Sequence, residues 1–269
     1  MTDLNDKVVL ITGAGGGFGE EMTRQFLAAG SKLVLTDISG KALRHVIEIA
    51  ADKLVAAVAA DLATEEGCGV IAGTCTARDV VPDVLVNNAG IGFSGRLDHV
   101  PRERWETLMQ LNLLAPIRLT NLFLTGMIDR GSGHIVNISS LAGWIGGPGL
   151  SIYCASKFGL RGFGVSLSAD LEDSGVVVTN VYPCFSRTPI LDSPQYGNEE
   201  KLEIPERLIS EPADVVAKII KGVKNNRLHV FPDKHARRIH YLKRFVPWLI
   251  PMLSRRMQAE AVEAARESG

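Results

Sequence analysis

Tyr153 and Lys157 stand four residues apart, the spacing that puts two side chains on one face of a helix. A phenol whose ordinary pKa is about 10 becomes a usable base at neutral pH when an ammonium group lies beside it. Ser140 lies upstream, and near the start of the chain runs Thr12-Gly13-Ala14-Gly15-Gly16-Gly17-Phe18-Gly19. A proton-exchanging phenol and a glycine turn able to hold a dinucleotide are together the equipment of hydride transfer between an alcohol and a nicotinamide.

Such groups need a rigid frame. Short apolar or β-branched runs at Val8–Ile11, Lys32–Thr36, Leu54–Ala60, Val84–Val86, His134–Ile138, Val176–Val181 and Leu228–Phe231 read as strands. Helical patterns occupy Glu20–Ala29, Lys41–Ala50, Thr64–Arg78, Arg102–Met127, Tyr153–Asp173 and Ala213–Asn225. Runs that are apolar at nearly every position belong to strands covered on both faces, so the expected fold is α/β: a doubly wound parallel sheet of about seven strands flanked by helices. The polar stretch from Thr188 to Glu211, with Pro189, Pro194, Gly197 and Pro205, reads as a long surface loop of the kind that serves as a lid.

The glycine turn falls where the first strand hands over to a helix beginning at Phe18. Gly13, Gly17 and Gly19 permit the sharp turn and keep side chains away from a pyrophosphate, which the helix N-terminus attracts. The spacing is GxxxGxG. Asp37 closes the second strand, where a carboxylate can accept hydrogen bonds from adenosine ribose hydroxyls and repel a 2′-phosphate; the competing role is to cap the following helix. With Gly16 in the turn and Ile38 after the aspartate, no cation is placed for that phosphate, so NAD is favoured over NADP. Asp61 after the third strand is a candidate for the adenine edge, and Asn87-Asn88-Ala89-Gly90 for the adenosine side; ordinary turn chemistry is the alternative for each.

Bulk properties exclude other classes. In 269 residues the formal net charge is -1, which leaves no electrostatic footprint for nucleic acid. Cys68, Cys75, Cys154 and Cys184 form neither a CxxC pair nor a disulfide framework, and the histidines and cysteines have no metal-ligand spacing. No leader precedes Lys7, and no run approaches the roughly 18 apolar residues of a membrane span. The expectation is a cytoplasmic, non-spanning protein with no metal. Ile91, Phe93, Leu141, Trp144, Ile145, Pro148, Leu150, Phe185 and Ile190 make the candidate substrate side apolar, pointing to a hydrophobic alcohol or ketone. Residues 1–234 form the expected catalytic domain. Residues 235–269 are an amphipathic extension, with basic residues around Phe245–Leu253 and a helical pattern at Gln258–Glu267; a peripheral membrane contact, a lid or a subunit contact are its possible uses.

These motifs, in this order over roughly residues 6 to 232, resemble the classical short-chain dehydrogenase/reductase family, whose fold is of the Rossmann type. The resemblance implies a catalytic tetrad of Asn112, Ser140, Tyr153 and Lys157: Tyr153 exchanges the proton, Ser140 bonds the substrate oxygen, Lys157 lowers the phenol's pKa and binds the nicotinamide ribose, and Asn112 holds a water of the proton relay. Ser139 competes with Ser140, but strand alternation turns it to the opposite side. The implied cofactor set is Thr12, Gly13, Gly17, Phe18, Gly19, Asp37, Asp61, Leu62, Asn88, Ala89, Gly90, Tyr153, Lys157, Pro183, Ser186 and Thr188. One departure is Cys184, which follows Pro183 where the family usually has glycine. Family members usually form dimers or tetramers through the helices corresponding to Arg102–Met127 and Tyr153–Asp173, so a homo-oligomer is expected. An NADP-dependent carbonyl reductase of the same family and an NAD-binding sensor or scaffold without turnover are the alternatives.

Overall fold

Along Val8-Val9-Leu10-Ile11 successive side chains leave the strand on opposite faces, so an apolar residue at every position demands cover on both. The computed structural model, which describes residues 1–197, 204–250 and 252, supplies that cover. The strands are β1 (Val8–Thr12), β2 (Lys32–Asp37), β3 (Leu54–Ala59), β4 (Val84–Asn87), β5 (Ser94–Gly95), β6 (Gly133–Ile138), β7 (Val176–Val181), β8 (Gln195–Tyr196) and β9 (His229–Val230). The helices are α1 (Phe18–Ala28), α2 (Gly40–Ala50), α3 (Glu65–Thr76), α4 (Arg102–Met109), α5 (Ala115–Asp129), α6 (Ser151–Asp170), α7 (Pro212–Lys224) and α8 (Lys234–Phe245).

Seven strands form one parallel sheet in the order β3-β2-β1-β4-β6-β7-β9. Val9, Ile11, Leu33, Leu35, Val84 and Val86 face a layer built from α1, α2 and α7. Leu10, Val34, Leu85, Ile135 and Val178 face the other layer, built from α3, α5 and α6. The strand order runs outward in one direction from β1 and in the other from β4. The crevice at their C-terminal ends is therefore the topological switch point, where sheets of this kind bind ligands.

Three features depart from the expected elements. The helix expected over Arg102–Met127 is broken by a wide π turn at Gln110–Leu114, between α4 and α5. By length and composition alone Arg102–Asp129 is apolar enough to cross a membrane, contrary to the expectation that no run comes near that threshold. Its apolar content has a use in the fold: Leu119, Phe123 and Met127 are buried in the core under the sheet, while Leu122 and Ile128 are exposed. Finally, the polar loop after Thr188 contributes β8, which pairs in parallel with β5 through Ser94↔Gln195 and Gly95↔Tyr196. Two-residue strands carry no readable alternation. The Gly95 N–H also reaches the Gly149 carbonyl at 2.8 Å, so segments 91–95, 147–149 and 194–196 are stitched into one roof. The expected helix at Gln258–Glu267 lies outside the described residues.

Candidate active site

The glycine turn leaves β1 with Gly13 at φ +63°, a left-handed conformation that glycine adopts without strain. At Gly19 a Cβ would collide with the Gly13 carbonyl, so that position packs backbone on backbone. The residue before α1, Gly17, offers no side-chain cap; the Gly19 N–H donates to the Gly16 carbonyl at 2.8 Å, and the uncapped positive end of the helix dipole suits an anion. Thr188, far along the chain, lies against Gly17: a Cβ there would stand 3.1 Å from the Thr188 Cβ.

Asp37 turns toward this loop. Its carboxylate accepts from the Gly15 N–H at 2.9 Å and from the Ile38 N–H at 2.8 Å. Capping of α2 falls instead to Ser39, which accepts from the Ala42 N–H. Asp61 accepts from the Ala63 N–H at 2.9 Å, while Thr64 caps α3. Leu62 is buried in the core beside α3, so only its backbone remains for a ligand. Phe18 packs against the core on the α1 side. Asn88 donates to the carbonyls of Thr12 (2.9 Å) and Gly13 (3.1 Å), and the Thr12 hydroxyl accepts from the N–H groups of Asn88 and Ala89, both at 2.9 Å. Asn88 and Thr12 thus lock the end of β4 to the glycine turn. Gly90 follows at the lip.

On the other side of the crevice, the Pro183 carbonyl accepts from the Leu141 N–H at 2.8 Å. The Cys184 N–H donates to Asp233, which also caps α8 through Ala236, both at 2.8 Å. Burial, reinforced by the Asp233 charge, pushes the Cys184 thiol up to about 12, which suits packing rather than nucleophilic chemistry. Ser186 carries a buried hydroxyl with no partner among the described residues, a group that calls for a ligand or a water. Together the uncapped α1, the left-handed Gly13, the Asp37 carboxylate and the unpartnered Ser186 fit an anionic dinucleotide lying across the switch point.

Ser140, Tyr153 and Lys157 converge at the C-terminal end of β6. Ser140 lies two residues past β6, its hydroxyl accepting from the Ala142 N–H at 3.1 Å and near enough to the Tyr153 phenol to hold its pKa down. Ser139 points the other way and donates to the Lys157 carbonyl at 2.9 Å, clamping α6 to the strand. The Lys157 ammonium stands 5.8 Å from the centre of the Tyr153 ring and donates to the Ile138 carbonyl at 3.0 Å. The expected electrostatic activation of the phenol is not the dominant effect. Burial pushes Tyr153 up to about 12, with the Ser140 hydrogen bond opposing it, and burial pushes Lys157 down to about 8. The phenol is therefore protonated at neutral pH, ready to donate.

Asn112, fully buried in the π turn, exchanges two hydrogen bonds with the backbone of Ile91, both at 2.9 Å. Its side-chain amide is thereby engaged with the segment after Gly90. Phe93 and Tyr196, edge to face at 5.9 Å, share an apolar cluster with Tyr153, so the roof contributes greasy surface beside the phenol. Trp144, expected on the substrate side, packs elsewhere. It lies against Phe231 and His240, each 5.1 Å away, with the Arg161 guanidinium 3.8 Å from its ring and Lys243 of α8 donating to its carbonyl. Among the described residues no group of three or more His, Cys, Asp or Glu is arranged to hold a metal ion.

Residues 7–197, which span the glycine turn and the Ser140, Tyr153 and Lys157 group, match the family model for short chain dehydrogenase. The chain belongs to that family. Dehydrogenase/reductase SDR family member 7B from Danio rerio is 34% identical to this chain over 234 residues, covering 82% of this chain and 75% of that protein. Epidermal retinol dehydrogenase 2 from Homo sapiens is 32% identical over 247 residues, covering 90% and 78% respectively. Among solved structures, a short-chain dehydrogenase from Sphingobium yanoikuyae in complex with NADPH is 28% identical with a TM-score of 0.77, covering 91% of this chain and 95% of that one. The family chemistry is nicotinamide-linked oxidoreduction at a CH–OH group.

Proposed function

We propose that this dehydrogenase interconverts a hydrophobic secondary alcohol and its ketone with NAD, and that Tyr153 is the proton-exchanging group. The observation that carries the reading is the convergence of Tyr153 with Ser140 and Lys157 at the switch-point crevice. The nicotinamide, when bound, supplies or receives the hydride. In ketone reduction the phenol donates its proton to the substrate oxygen, which the Ser140 hydroxyl orients. In alcohol oxidation the phenol must first lose that proton, and the neighbouring Lys157 cation favours the charged form. Asn112 acts as a positioning residue that holds Ile91 and the lip of the crevice.

Asp37 supports NAD: a 2′-phosphate would meet a carboxylate already held by the Gly15 N–H. The NADPH of the Sphingobium relative leaves carbonyl reduction with NADP as the second reading. The cluster of Phe93 and Tyr196 beside Tyr153 favours a bulky apolar substrate; the human relative is named for retinol, which is bulky and apolar but a primary alcohol, whose oxidation gives an aldehyde in place of a ketone. Exposed Leu122 of α5 and Phe158 and Val165 of α6 support a homodimer or homotetramer built on these helices. Residues 1–234 are read as the catalytic unit of a cytoplasmic protein, and 235–269 as an amphipathic extension in peripheral contact with a membrane.

The test is absorbance of the reduced nicotinamide while purified protein is offered lipophilic alcohols with NAD or NADP, and ketones with the reduced forms. Turnover with NAD that vanishes in Tyr153→Phe, with cofactor binding retained, is the expected outcome. Turnover undiminished in that variant, or a tenfold preference for NADP, would overturn the corresponding part.

A further inference from the structure

Between the last turns of α7, strand β9 and the start of α8 lies a pocket of about 350 Å³. Its rim carries Lys218, Lys221, Arg227 and Arg237, and no carboxylate lines it. Among the described residues none of these four cations makes an ion pair or a side-chain hydrogen bond. Two carboxylates lie four residues from these cations: Asp233, before Arg237, is buried with both oxygens occupied by backbone N–H groups, and Asp214, before Lys218, is exposed in the first turn of α7 and does not line the pocket. From Pro212 to Phe245 the chain has nine Lys and Arg against two carboxylates, although its formal net charge is -1. Positive charge has been gathered at one edge, and the pocket is where it is least neutralised.

The same edge is greasy on its outer side. Arg237, Tyr241 and Phe245 follow one another at four-residue intervals and so form one stripe of α8, while Ala236 and His240 face the protein. Tyr241 is 59% exposed, Phe245 72%, and Trp248, just beyond the helix, 70%. Cations around a headgroup-sized pocket, continued by exposed aromatic rings on one helical stripe, match an anionic leaflet: phosphate at the depth of the pocket, rings at the acyl boundary.

We infer that this pocket seats the phosphate-bearing headgroup of an anionic phospholipid while Tyr241, Phe245 and Trp248 enter the membrane interface. The inference rests on the peripheral-contact reading above and is independent of the hydride chemistry.

Co-sedimentation of the full-length protein with vesicles tests it. Vesicles of about four parts phosphatidylcholine to one of phosphatidylserine should bind the protein, and pure phosphatidylcholine should not. Lys221→Ala/Arg237→Ala should weaken partitioning roughly 10- to 30-fold. Lys221→Arg/Arg237→Lys should retain it, and Trp248→Ser should reduce it without changing its salt dependence. Cofactor binding by each variant, read by nicotinamide fluorescence, certifies the fold. Equal binding to both vesicle types, or an unaltered double-alanine variant, would overturn the proposal. So would tight binding of a soluble inositol phosphate by a protein that ignores vesicles, since that assigns the pocket to a free phosphate ligand. Loss of alcohol oxidation with vesicle binding intact would strike the catalytic reading and spare this one.

Discussion

The Lys157 ammonium donates to the Ile138 carbonyl at 3.0 Å and stands 5.8 Å from the centre of the Tyr153 ring, so the cation flanks the phenol while being anchored to the neighbouring strand. With burial pushing the amine down to about 8, its charge is present below that pH and disappears above it. We predict that ketone reduction at saturating cofactor declines as pH rises through about 8. Lys157→Met should remove this limb of the profile and lower kcat roughly 100-fold or more. A flat profile for the unaltered protein between pH 7 and 9.5 would remove Lys157 from the proton path.

Tyr153→Phe keeps the ring and deletes the proton. The expected loss in kcat is about 100- to 10,000-fold in both directions, with the dissociation constant for NAD changed less than about threefold. Stopped-flow absorbance separates the two quantities.

Removal of the Asp37 carboxylate should act on binding alone. Asp37→Ala should raise the KM for NAD by roughly 10- to 100-fold, the worth of hydrogen bonds to a charged acceptor, while that for NADP stays level or falls. Retained preference for NAD would mean that the carboxylate serves only Gly15 and Ile38.

How much of this was legible beforehand follows from how local each feature is. β1 and β2 announce themselves because a strand buried on both faces has no room for polar residues, and the glycine turn because few other residues tolerate the φ of Gly13. The role of Asp37 was ambiguous until Ser39 was seen to take the cap of α2. The β5–β8 roof, the approach of Thr188 to Gly17 and the inward turn of Trp144 join segments remote in sequence, so no periodicity encodes them. The raised pKa of Tyr153 is hidden for a related reason: spacing reveals the cation, but only the packed cleft reveals the desolvation of the phenol.

His134 offers a stability test away from the crevice. Fully buried, its ring is bonded to the hydroxyls of Thr2 and Thr179, both at 2.8 Å, and burial pushes its pKa down to about 3. Below the ordinary value near 6.5 the unfolded chain takes up a proton that the folded protein refuses. Folding free energy should therefore fall as pH drops from about 6.5 toward 3, by up to about 1.4 kcal/mol per pH unit. Urea midpoints measured from about pH 7 to 5 should drop less steeply in His134→Gln.

Asp233→Ala should cost about 2–3 kcal/mol of stability, because it uncaps α8 and leaves the Cys184 N–H without its acceptor. An unchanged urea midpoint would show that water replaces the carboxylate in full.

Trp144 is a wedge with two working faces. One belongs to the short segment that starts at Ser140; the other is gripped by Arg161 of α6 and by Lys243 and His240 of α8. The C-terminal helix is thereby pinned to the body of the domain through one indole, and a chain cut before Lys234 would leave that ring bare on its α8 side.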